Sequence, residues 1–95
     1  MECQSVQWSG HSLRRMYERG LNRLHVFTVL HTGERIEEYP DDTPYPSCLL
    51  LGFIGNRPLH LVVAVDSTRG ICYLVTVYEP DPNRWEPGFK LRRSS

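Results

Sequence analysis

The apolar residues of this chain change their spacing at Gly33. Before Gly33, they recur every three or four residues, which is the spacing of one face of an α-helix. After it, leucines and β-branched residues form stretches that are separated by turn residues, as is typical of strands. Helical segments followed by strands predict an α+β fold in which the helices pack on one sheet.

Two helices are predicted in the first third of the chain. Ser9 is a suitable N-cap for a helix from Gly10 to about Arg19, and Asn22 can cap a second helix from Arg23 to about His31. Gly33 then ends the second helix. The residues predicted to form its buried face are Leu24, Val26, Phe27 and Leu30.

Four strands are predicted after the helices, and the connections between them are short. Short connections join antiparallel strands, so we expect a twisted, mainly antiparallel four-stranded sheet with the two N-terminal helices packed on it. Residues 79–93 form a tail in which Trp85 and Phe89 are expected to pack back onto the sheet. The predicted strands are Glu34–Tyr39, Ser47–Ile54, Pro58–Asp66 and Ile71–Tyr78.

The length of 95 residues predicts a single domain over residues 1–95, with a core from about 9 to 93. A domain of this size buries too little surface to enclose a deep active site. Any chemistry is therefore expected on an open face.

The three cysteines, Cys3, Cys48 and Cys72, are widely spaced and odd in number, so reduced thiols are expected. No apolar run approaches the ~20 residues that cross a bilayer, and the N-terminus lacks the pattern of a signal peptide. These features predict a cytoplasmic protein without a membrane partner.

Several classes of enzyme are excluded as far as motifs can exclude them. The sequence has no phosphate-binding P-loop, no dinucleotide-binding glycine motif and no hydrolase nucleophile elbow. It also lacks the histidine and cysteine spacings of zinc sites. We therefore expect no metal and no cofactor, and any reaction would depend on simple acid–base chemistry.

His11, Arg15 and Arg19 follow one another at intervals of four residues and form one stripe on the first predicted helix. Two guanidinium groups one turn apart can bind adjacent phosphate oxygens, and an imidazole titrates near neutral pH. The formal net charge is zero, so this local patch would have to replace an overall positive charge. The alternative interpretation is a solvated helix face whose arginines pair with nearby acids.

His60 interrupts an otherwise apolar strand, where a histidine must find a hydrogen-bond partner or stay neutral. A four-residue loop after this strand would place it opposite Val77, whereas a loop of three or five residues would place it beside Thr76 or Tyr78. The second arrangement would form a polar cluster that resembles a site. The alternative is a hydrogen-bonded histidine in the core.

Tyr78 and Arg84 lie where the last strand passes into the tail, and strand ends are common places for reactive groups. Either side chain could face a phosphate. The alternative is that the prolines of this segment stiffen the turn and Trp85 caps the core.

The order and spacing of several motifs resemble a family of small bacterial and archaeal proteins catalogued as a domain of unknown function. The resemblance covers about residues 9–93. The motifs that carry it are His11-x3-Arg15-Met16-x2-Arg19-Gly20, Gly33-Glu34-x-Ile36-Glu37-x-Tyr39-Pro40-Asp41-Asp42-x-Pro44-Tyr45-Pro46-Ser47, Arg57-Pro58-Leu59-His60, Thr76-Val77-Tyr78-x-Pro80-Asp81-Pro82, Trp85 and Lys90-x-Arg92-Arg93.

That family is similar in size and element order to the RelE, ParE and BrnT toxins, and its genes often lie beside a zinc-finger antitoxin of the MqsA kind. The resemblance implies a toxin of a type II toxin–antitoxin system that cleaves RNA, including ribosome-bound mRNA, with such an antitoxin as its partner. The alternatives are a non-catalytic protein- or RNA-binding module of the same fold and a ParE-like gyrase inhibitor.

The corresponding mechanism is metal-independent cleavage of RNA by its own 2′-hydroxyl group. On this hypothesis, His60 or His11 is the base or the acid, and Tyr78 is a proton donor or a surface on which a base stacks. The residues expected to hold phosphate are Arg15, Arg19, Arg57 and Arg84.

Overall fold

The computed structural model describes residues 1–94, which form two helices and five strands. Along the chain the elements are β1 (Ser5–Trp8), α1 (Gly10–Glu18), α2 (Arg23–Thr32), β2 (Glu34–Tyr39), β3 (Ser47–Ile54), β4 (Arg57–Asp66) and β5 (Ile71–Tyr78). The strands make one sheet in the order β1-β5-β4-β3-β2. Neither of these helices is long and apolar enough to cross a membrane.

The α+β class is confirmed, but the prediction of a four-stranded, mainly antiparallel sheet was wrong. The sheet has five strands and is mixed, because β1 pairs in parallel with the first half of β5, with Ser5 opposite Ile71. The other strand pairs are antiparallel. With four residues, β1 is too short to show an alternating pattern, and its partner lies far away in sequence.

Both helices begin at the predicted caps. The Ser9 hydroxyl accepts a hydrogen bond from the N–H of Ser12, and Asn22 and His25 bond to each other's backbone N–H in a capping box. Part of the predicted buried face of α2 was wrong, because Leu24 is 72% exposed and Phe27 is 45% exposed. Leu24 lies away from the sheet, and Phe27 packs edge-on against Trp8 of β1 instead.

The main core lies between the helices and one face of the sheet. Val29 of α2 sits directly over Gly52 of β3, where a Cβ atom would come within 2.7 Å of the Val29 methyl groups. The absence of a side chain at Gly52 thus lets the helix approach the sheet. The buried residues of this core include Met16, Val26, Leu30, Leu50, Leu61, Val63 and Leu74.

The tail after β5 covers part of the opposite face of the sheet, as predicted for Trp85. Trp85 is 3% exposed and packs edge-on against His60, with 4.5 Å between the ring centroids. The Arg92 guanidinium also lies over the indole ring, 4.6 Å from the ring centroid. Leu49 and Leu51 of β3 are buried on this face, so a second, smaller apolar layer forms under the tail.

Cys3 and Cys72 form a disulfide, so the prediction of reduced thiols was wrong for this pair. Cys3 precedes β1 and Cys72 lies in β5, and the parallel pairing of these strands brings the two Cα atoms to 5.7 Å. The sequence did not predict this disulfide because it did not predict β1, which brings the two cysteines together. Cys48 is a free, buried thiol.

Candidate functional site

Helix α1 lies beside the second half of β5, where β1 has ended. β1 pairs with Ile71 to Leu74, and beyond this point the side chain of His11 reaches β5. Its Nε2 atom lies 3.1 Å from the hydroxyl of Thr76, in an exposed position. An accessible imidazole is therefore held at the border between the helix and the uncovered sheet face.

Arg15 and Arg19 continue from His11 along the exposed surface of α1. Positions four residues apart are neighbours on a helix, so Arg15 lies one turn from His11. Arg19 caps the helix end, and its carbonyl oxygen accepts a hydrogen bond from the Arg57 guanidinium at 2.5 Å. We call the three exposed side chains of His11, Arg15 and Arg19 the α1 strip.

Arg57 lies at the C-terminal end of the α1 strip, but Glu79 balances its charge. Its Nε donates to the carboxylate of Glu79 at 2.6 Å, and its side chain is about one third exposed. The ion pair joins the start of β4 to the residue that follows β5. Arg57 therefore positions the C-terminal end of α1 and is less free to bind phosphate than Arg15.

His60 is completely buried, and both of its ring nitrogens have partners. Nε2 lies 2.9 Å from the carbonyl oxygen of Phe89, and Nδ1 lies 3.1 Å from the hydroxyl of Tyr78. A carbonyl oxygen only accepts, so Nε2 carries the proton, and in the neutral ring Nδ1 accepts from the Tyr78 hydroxyl. The histidine is thus satisfied within the second apolar layer and has no path to a ligand.

Burial also determines how this pair titrates. It lowers the pKa of His60 below its ordinary value of 6.5, because the charged imidazolium loses solvation. Burial raises the pKa of Tyr78 for the same reason, since the phenolate is the charged form. Both groups are consequently neutral near pH 7.

A β-bulge, and not the length of the loop after β4, places His60 opposite Tyr78. The loop Ser67–Gly70 has the four residues that would place His60 opposite Val77, and Asp66 does pair with Ile71. The register then shifts between Val62 and Val63, so that His60 faces Tyr78. The pairing is therefore one of the predicted alternatives, but the tail covers the pair.

The predicted site residues separate into three places. The α1 strip and Arg57 lie together along the edge of β5, and His60 with Tyr78 lies under the tail. Arg84 is exposed in the tail, where its carbonyl oxygen accepts from the N–H of Arg93. The structure thus places His11 on one exposed surface with Arg15 and Arg19, which ends at Arg57, and buries His60 under the tail.

The sequence did not predict an aromatic cluster on the sheet face opposite the helices, in the half that the tail leaves uncovered. The rings of Tyr45 and Tyr73 stack in parallel with 5.4 Å between centroids, and Arg69 donates to the Tyr45 hydroxyl at 3.0 Å. Arg69 also pairs with Asp66 at 2.6 Å. The spacing of Asp66 and Arg69 across a turn was visible in the sequence, but only the fold brings Tyr45 to Tyr73.

A family model described as Domain of unknown function (DUF4258) matches residues 8–79. This span includes both helices and the four antiparallel strands, and it ends before the tail that covers His60. No curated protein and no solved structure matches the chain.

Proposed function

The chain belongs to the DUF4258 family, a domain of unknown function, and we propose that it is a metal-independent RNA endonuclease that acts from the α1 strip. The observation that carries this proposal is the position of His11, whose exposed imidazole is held at 3.1 Å by Thr76 beside Arg15 and Arg19. An imidazole next to guanidinium groups on an open surface is suited to phosphodiester chemistry.

The reaction would begin when His11 takes the proton from a ribose 2′-hydroxyl. The 2′-oxygen then bonds to the adjacent phosphorus, and the bond from phosphorus to the 5′-oxygen breaks. The 5′-oxygen takes a proton from water, and the hydroxide that remains takes the proton from the His11 imidazolium. This leaves a 2′,3′-cyclic phosphate, a 5′-hydroxyl and a neutral His11. Arg15 and Arg19 would stabilise the negative charge that builds up on the phosphorane.

His60 has no catalytic role in this proposal, because both of its nitrogens are bonded inside the protein. Its role is to hold the Tyr78 hydroxyl and the tail. The α1 strip, in contrast, is exposed, so RNA reaches it without a rearrangement.

A non-catalytic RNA-binding module is the second candidate. One observation favours it: of the three side chains considered for acid–base chemistry, His11 alone is exposed, whereas His60 is buried and Tyr78 directs its proton to His60. Such a module would use the same arginines for phosphate and would leave RNA intact.

The test is inducible expression in the cytoplasm, with mapping of the 5′ ends of cellular RNA within minutes and with growth recorded in parallel. We compare the wild type with His11→Ala, Arg15→Ala and Arg14→Ala. Arg14 is exposed on the same helix, about 100° around the axis from Arg15, and is the matched control.

We expect growth arrest and new RNA ends with the wild type and with Arg14→Ala. His11→Ala should lower the yield of new ends at least about 100-fold, the usual size of a general-base contribution. Arrest that a co-expressed partner protein suppresses would support a toxin of an antitoxin-controlled pair. Intact RNA, together with salt-dependent RNA binding by the purified protein, would instead establish the binding module.

A further inference from the structure

A shallow groove lies on the half of the sheet face that the tail leaves uncovered. Its floor is formed by Val62 and Ala64 of β4 and by Tyr73 and Val75 of β5, and the loop before β3 forms one wall with Pro44 and Tyr45. The cavity volume is about 380 Å³. Carbon atoms make up most of its surface, so it suits a flat, weakly polar group.

The groove begins next to the α1 strip. Val62 lies directly opposite Thr76 in the pairing of β4 with β5, and Thr76 is the residue that holds His11. Neighbouring strands are about 4.8 Å apart, so a ligand bound at His11 is one strand away from the groove floor. The two places therefore form one continuous surface.

A guanidinium group lies beyond each end of the groove. Arg69 lies at the end formed by Tyr45 and Tyr73, where its side chain is 59% exposed although it pairs with Asp66. His11 lies at the other end, and Arg15 lies one helical turn beyond it. A nucleotide within an RNA strand has the matching pattern, since a flat base stands between two phosphates. An apolar peptide side chain would fill the floor but would offer no hydrogen-bond acceptor to the exposed guanidinium groups of Arg69 and Arg15.

We propose that this groove binds one unpaired nucleobase of RNA, the base of the nucleotide next to the phosphate at the α1 strip. The proposal rests on the proposed function and identifies the RNA segment that it recognises as single-stranded. Polar atoms for the edge of the base lie in the wall, where Asp42 accepts a hydrogen bond from Ser47 at 2.5 Å and keeps further lone pairs for N–H groups.

The experiment separates the contribution of the base from that of the phosphates. Two fluorescent probes are titrated by anisotropy: a decauridylate with 2′-fluoro groups, which cannot be cleaved, and an abasic decamer with the same number of phosphates. The variants are Ala64→Leu, which fills the floor, and Tyr45→Ala, which removes a wall. Thr28→Leu adds similar bulk on the exposed side of α2 and is the control.

We expect the wild type to prefer the base-bearing probe by about tenfold or more, since a stacked base contributes that much to single-strand binding. Ala64→Leu and Tyr45→Ala should abolish most of this preference and leave the affinity for the abasic probe within about twofold. Thr28→Leu should keep both the preference for the base-bearing probe and the affinity for the abasic probe.

Two outcomes would overturn the nucleobase groove, and they differ in what else they affect. If both probes bind but the preference is unchanged in the two folded groove variants, the groove is not a base site and the α1 strip alone binds RNA. If neither probe binds the wild type even at low salt, the proposed function fails as well.

Discussion

His60 and Tyr78 face each other across β4 and β5, with 3.1 Å between the imidazole Nδ1 and the phenol oxygen. The second imidazole nitrogen donates to the carbonyl oxygen of Phe89 in the tail. A single buried ring thus connects the end of β5 to the segment that folds back over the sheet. This arrangement assigns His60 to the stability of the tail.

Replacing His60 should therefore reduce stability. In His60→Leu, the Tyr78 hydroxyl and the Phe89 carbonyl both lose a buried partner, and the free energy of unfolding should fall by about 1–3 kcal/mol. Urea denaturation followed by tryptophan fluorescence measures this, because Trp85 contacts the ring. The exposed His31→Leu is the control and should change little. An unchanged stability combined with loss of RNA cleavage would instead place His60 in the reaction.

The same histidine should make stability depend on pH. Since burial lowers the pKa of His60 in the folded state, the unfolded chain binds a proton at a pH where the folded chain does not. The contribution of the neutral His60 ring to the free energy of unfolding is complete above about pH 6.5. It is lost as the pH falls below this value towards the lowered pKa. We expect the stability advantage of the wild type over His60→Leu to shrink between pH 7.5 and pH 5. Parallel pH profiles for the two proteins would contradict this assignment.

Gly52 should be intolerant of any side chain. The added Cβ in Gly52→Ala would lie 2.7 Å from the methyl groups of Val29, so α2 would have to move away from the sheet. We expect a loss of about 1–3 kcal/mol in unfolding free energy, which is typical of overpacking. Gly10→Ala is the matched control, because a Cβ there meets nothing within 4 Å. Equal stability of the two variants would show that α2 can move away from the sheet without a loss of unfolding free energy.

Reduction of the Cys3–Cys72 disulfide should destabilise the protein by about 2–4 kcal/mol, because the bond closes a long loop of the unfolded chain. Thermal unfolding with and without reductant measures the effect, and Cys3→Ser should match the reduced protein. Alkylation of the free thiols before and after reduction, with mass spectrometry, counts the cysteines. If two additional alkyl groups do not appear after reduction, the pair is not bonded in the sample tested.

Much of the fold was predictable because its signals are local. The second half of the chain shows this best: the ends of β2, β3 and β5 fall where the turn residues and the apolar stretches place them. Caps such as Ser9 and Asn22 also act within three residues. These features require no knowledge of distant partners.

The remaining features depend on contacts between distant segments. β1 is a strand because it pairs with β5, and this pairing places Cys3 next to Cys72. The burial of His60 likewise depends on Trp85 and Phe89, which follow it by more than twenty residues. For the candidate site, the stripe of His11, Arg15 and Arg19 was readable from helical spacing, whereas its support by Thr76 was not.

The β-bulge in β5 determines which residue lies opposite His60. The extra residue lies at Val75, because Val62 pairs with Thr76 and Val63 pairs with Leu74. A chain that lacked it would place Val77 beside the histidine and would turn Tyr78 to the helix side of the sheet. Deletion of this one residue would therefore replace the hydrogen-bonding partner of His60 with an apolar side chain.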